Sequence, residues 1–92
     1  MTTISEAELA RIVDGICADR DVIIKHNPIG TDEEVLLWML LSCLVSYLSL
    51  TDRETPCFTG RPDAKTYRDA IRFVLEDRRN GDFPIEQYLD RL

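Results

Sequence analysis

Cys57 and Arg61, in the run Thr55-Pro56-Cys57-Phe58-Thr59-Gly60-Arg61-Pro62, are the side chains in this chain best suited to covalent chemistry. A thiol becomes a nucleophile as its thiolate, and a neighbouring cation or helix N-terminus favours that form. A helix beginning at Asp63 would supply such a field, but the Asp63 carboxylate itself opposes it. A nucleophilic Cys57 would therefore have to titrate well below the ordinary thiol value of about 8.5. The simpler reading is a connector in which Pro and Gly set turns and Phe58 plugs the core. Cys57, Phe58 and Arg61 thus define a possible ligand site on a loop, and no catalytic residue is assigned.

The Cys-to-Arg spacing resembles the phosphate-cradling pair of cysteine-based phosphatases. Only Phe58, Thr59 and Gly60 intervene, however, fewer backbone N–H groups than a cradle around an oxyanion requires. His26 could act as a general base oriented by Asp19, Asp21 or Asp32, yet no nucleophile stands at a usable spacing. Its position before Asn27-Pro28 suits a helix end, where its charge complements the dipole. One histidine and three cysteines (Cys17, Cys43 and Cys57) without a CxxC pair give no zinc pattern. No metal or cofactor is expected. Lys65, Arg68, Arg72 and Arg79 share one sector of a helix, extended backwards by Arg61. Asp69 and Glu76 border that sector at ion-pairing distance, and no aromatic residues interleave as a base-stacking platform would need.

The elements that must position these side chains are helical. Thr31 to Thr51 opens with a capping-box pattern, Thr31 followed by Glu34, and with three acids at the positive end of the helix dipole. Val35–Leu50 is then broken only by Ser42, Ser46 and Ser49. It is shorter than the roughly 20 apolar residues that span hydrocarbon, so a buried central helix over about 31–51 is expected, with no membrane role. Leu37, Leu40, Leu41, Leu44 and Leu48 form one packing side. Val35, Trp38, Met39, Ser42, Val45, Ser46 and Ser49 lie on the other, flatter side. An all-round apolar helix has to be covered all round.

A first helix begins at Ser5 and carries Leu9, Ile12, Val13 and Ile16. Val22–Ile24 read either as its continuation, the reading favoured, or as a short extended piece, and Asn27-Pro28 ends it. The loop 52–63 follows the central helix. Asp63 is the expected N-cap of a third helix, Ala64 to Asn80, stopped by Gly81. Asp82 is the expected cap of a short fourth helix bearing Ile85, Tyr88, Leu89 and Leu92. The fold expected is all-α, one domain, a small four-helix bundle or orthogonal array around the central helix.

Function is bounded more loosely. The chain of 92 residues carries a formal charge of −6, which disfavours affinity for nucleic acid or anionic membranes. The odd cysteine count and a start without basic or apolar signal regions suggest a reducing, cytoplasmic setting. Surplus apolar surface on a short chain points to a non-catalytic protein-interaction module. In that reading Trp38, Met39, Ser42, Val45, Ser46 and Ser49 form a homodimer seam or dock a partner's helix. An alternative is an acidic regulator occupying the basic surface of a nucleic-acid-binding protein, and a third is a small enzyme using Cys57.

Overall fold

Thr31 and Glu34 make the reciprocal capping box that their spacing implies. The Thr31 hydroxyl accepts from the Glu34 N–H at 3.2 Å, and Glu34 Oε1 accepts from the Thr31 N–H at 2.9 Å. From there α3, Asp32–Tyr47, runs through the middle of a computed structural model that describes residues 2–92. Leu37, Leu40, Leu41, Leu44 and Leu48 are all buried, as are Val35 and Leu36. The helix stops before the expected Thr51. Ser49 takes φ 52°, its N–H bonds the Ser46 carbonyl, and the Leu50 N–H reaches back to that of Val45. These are the paired bonds of a left-handed helix stop. Ser49 is therefore a terminator, not part of the helix face on which it was expected.

The chain before α3 forms two helices where one was expected. α1, Glu6–Ala18, begins with the Ser5 hydroxyl accepting from the Glu8 N–H, and α2, Arg20–His26, follows after a break at Asp19. Periodicity blurs there because Asp19, Arg20 and Asp21 are all exposed and no packing stripe joins the two helices. Ile23 and Ile24 are half-buried against the core while Val22 faces water.

After α3, Asp63 caps α4, Ala64–Glu76, its carboxylate accepting from the Thr66 N–H at 2.8 Å. This helix ends earlier than Asn80, because Arg79–Asn80 becomes a two-residue strand, β2, parallel to β1, Ile4–Ser5. Ile4 is fully buried at that junction. Gly81 takes the expected positive φ but closes the strand, not the helix. Pro84, not Asp82, precedes α5, Ile85–Leu89, and no side chain among the described residues caps it. Among the described residues the fold is mostly helical, with five helices and one short strand pair.

The relative directions of the helices follow from contacts between their ends. Arg61, just before α4, bonds Glu34 in the first turn of α3, while Glu54, just beyond α3, bonds Arg78, just beyond α4. Their starts lie together and their ends lie together, so α3 and α4 run the same way. The loop between them must travel back along α3 to make this possible. α1 runs opposite to both, since the Ile4 N–H donates to the Arg78 carbonyl. α5 lies against α4 in the reverse sense, with Arg72 on Glu86 and Arg68 on Asp90. One contiguous apolar cluster joins all these elements.

Candidate functional site

The returning loop divides the flatter side of α3 into two regions. Trp38, Ser42 and Val45 form the floor of a cavity of about 480 Å³ whose other walls are Phe58, Tyr67, Pro56 and Pro62. Phe58 does not plug the core outright. It is half-buried and stands edge-on to Tyr67, ring centroids 5.4 Å apart. Aromatic rings prefer that tilted arrangement. Leu41, from the Leu side of the wheel, also lines this cavity. Tyr67 itself is buried, and the loss of water together with the Glu34 charge pushes its hydroxyl pKa up.

The remaining part of that side faces α1 and α2 across a groove. Met39 and Cys43 line it from α3, with Ile12, Gly15, Ile16 and Ile23 opposite, around a volume of about 450 Å³. It continues past Ile12 and Cys43 to Ser46 and Tyr47, a further volume of about 440 Å³. Tyr47 is 40% exposed, and Ser46 is open to solvent. Burial raises the pKa of the Cys43 thiol.

The loop residues singled out for chemistry are not brought into one constellation. The Cys57 thiol is exposed and points its hydrogen at the Thr55 carbonyl, 3.7 Å away. Arg61 instead closes on the capping carboxylate, Nη2 to Glu34 Oε1 at 2.9 Å. Glu34 is held below its ordinary carboxyl range, first by the Thr31 backbone N–H and then by the Thr31 hydroxyl, with a smaller contribution from Arg61. His26 is exposed at the last position of α2. No group of three or more metal-ligating side chains forms among the described residues, and no helix among them is long and apolar enough to cross a membrane.

The cationic sector of α4 is occupied by carboxylates. Lys65 pairs with Asp69, Arg72 with Asp69 and Glu86, and Arg68 with Glu33 and Asp90. Arg79, expected on the same helix, lies beyond its end in β2 and holds Asp82 and the Phe83 carbonyl. Glu76, the second expected local partner, makes no ion pair among the described residues. Glu33, Glu86 and Asp90 come from other elements, which helical spacing within α4 had no means to reveal.

Sequence reasoning missed two features. Arg78 is buried, donating to Glu54 Oε2 at 2.8 Å and to the Val74 carbonyl. Phe73, in contrast, is 66% exposed. Its place off the stripe of Tyr67, Ala70, Ile71 and Val74 was the signal available for it. Comparison of the chain with protein-family models, with curated proteins and with solved structures gives no match.

Proposed function

We propose that this protein is a non-catalytic interaction module that docks a helix, from a partner protein or from a second copy, in the groove between α1 and α3. The observation carrying this reading is the apolar strip of Met39, Cys43 and Tyr47 facing Ile12, which lines a groove left open among the described residues. Apolar grooves of this form accept amphipathic helices through anchors spaced at helical turns. Trp38 and Val45 stand outside that strip, beside the loop, and Ser49 ends the helix. Of the residues expected at the seam, Met39 and Ser46 remain in it, and Ser42 sits at the boundary, lining both regions.

Light scattering at micromolar concentration, on the wild type and a Tyr47→Glu variant, tests this. A wild-type dimer that the variant dissociates supports the self-docking form. A monomer whose Met39 and Tyr47 resonances remain unmoved by any amphipathic helical peptide would remove the reading. Trp38→Ala serves as control, because Trp38 lies outside the groove.

A second reading, an acidic regulator of a basic surface, rests on the distribution of charge. Glu6, Glu8, Asp52, Glu76 and Asp77 make no ion pair among the described residues. They belong to the start of α1 and to the ends of α3 and α4, which meet at one pole, with Arg53 beside them. Two copies of charge −6 repel and associate more tightly in salt, whereas a basic partner is released by it. The sign of the salt dependence separates the two readings.

A further inference from the structure

We infer that the cavity beneath the 55–62 loop is a binding site for a small, neutral, mainly aromatic molecule carrying a hydrogen-bond acceptor. Its volume of about 480 Å³ lies within the range of small-molecule sites, which are largely apolar with a few polar groups that orient the ligand. Trp38, Leu41 and Val45 form its floor, and Phe58, Pro56 and Pro62 form its walls.

Among the described residues no charged side chain lines it. The charges acting on Tyr67 are those of Glu34 and Arg61, which are paired with one another at 2.9 Å. An ionic ligand would lose its water there without gaining a counter-charge, which is costly. Tyr67 supplies the orienting group. The residue is 6% exposed, it lines the cavity, and its hydroxyl makes no hydrogen bond among the described residues. That oxygen is not among the buried unpartnered polar atoms, so it keeps contact with solvent and its O–H is free to donate to a ligand in place of water.

The walls are held in place without a ligand. Arg61 ties the far end of the loop to Glu34, and Glu54 ties the near end to Arg78. A preformed site spends little binding energy on ordering.

The test is a nuclear magnetic resonance titration of the full chain with four probes of similar size: acetophenone, ethylbenzene, benzoate and benzylammonium. Acetophenone and ethylbenzene are expected to shift the Trp38 indole N–H and the Phe58–Gly60 amides saturably, with dissociation constants on the order of 1 mM. Benzoate and benzylammonium should bind at least about tenfold more weakly. Acetophenone, whose carbonyl accepts from Tyr67, should bind about three- to tenfold more tightly than ethylbenzene. Tyr67→Phe should erase that advantage and leave ethylbenzene unchanged. Absence of saturable shifts at Trp38, equal binding of the charged probes, or an acetophenone advantage that survives Tyr67→Phe would each overturn the assignment. Should Tyr67→Phe fail to fold, the wild-type comparison of acetophenone with ethylbenzene decides, and equality there overturns it.

Discussion

Glu54 Oε2 accepts a 2.8 Å hydrogen bond from Arg78 Nη2, joining the residue group just past the end of α3 to the one just past the end of α4. This pair brings the ends of two helices together although 24 positions separate its members. Glu54 Oε1 is also engaged, accepting from the Thr51 N–H and hydroxyl. The carboxylate thus fastens the start of the loop before the chain turns back along α3.

The Thr51 backbone N–H first, and Arg78 after it, lower the pKa of Glu54 to about 2. A folded-state pKa below the unfolded value contributes stability above the unfolded value, and that contribution is lost as pH falls towards the folded one. Stability conferred by Glu54 is therefore complete above about pH 4.5 and disappears on acidification towards pH 2. In Glu54→Gln the pH dependence of urea unfolding should be flatter across that window. Arg78→Gln should raise the Glu54 value only part of the way, since the Thr51 N–H remains. Carboxyl-carbon resonance titration measures both.

Gly30 is pressed against the other fastening. A Cβ there would lie 2.5 Å from Arg61 Nη2 and 2.8 Å from Glu34 Oε1. Elsewhere a compatible Gly→Ala change stabilises by about 0.4–1 kcal/mol through the unfolded chain. Here it should destabilise by about 1 kcal/mol, because overpacking displaces the pair. In an Arg61→Ala background the cost should shrink, and a double-mutant cycle in urea reads the difference. Additive costs would show that the crowding does not involve Arg61.

Ser49 occupies the left-handed conformation that ends α3. A non-glycine residue there costs roughly 1–2 kcal/mol, partly offset by the extra unfolded-state freedom of glycine. Ser49→Gly should stabilise by about 0.5–1 kcal/mol, while Ser49→Val should destabilise. Thermal unfolding should place the glycine variant several degrees above wild type, and no rise would mean the strain is absent.

The three cysteines should alkylate in an order set by exposure and burial. Cys57 is exposed, whereas Cys43 lies half-buried in the groove with its thiol pKa raised. Mass spectrometry after brief iodoacetamide treatment at pH 8 should find Cys57 modified first and Cys43 last. A helix docked in the groove should slow Cys43 further and leave Cys57 unaffected.

Phe73 tests the surface in the opposite sense. At 66% exposed, it loses little packing when replaced, so Phe73→Lys should change stability by less than about 0.5 kcal/mol. A larger loss would mean that a neighbour covers it in solution.

The existence of the helices and most of their starts follow from local chemistry. Thr31 with Glu34, Ser5, and Asp63 satisfy the orphan N–H groups of a first turn from within the same segment, so spacing alone reveals them. The Leu side of α3 is legible for the same reason: every member lies within a few turns of the others. Helix ends and helix directions are decided elsewhere. Ser49 stops α3 in a conformation that serine adopts only rarely, and α4 ends early because Arg79–Asn80 meets Ile4–Ser5 from the far end of the chain. The side of α3 bearing Trp38 changed most on folding. Its residue types show an apolar side, but spacing also assigns to it Ser49, which lies beyond the end of the helix. Only the return path of the loop, fastened by Arg61 on Glu34 and Glu54 on Arg78, divides it into a cavity walled by the loop and a groove facing α1. Those fastenings pair side chains 27 and 24 positions apart, a range over which local spacing carries no information.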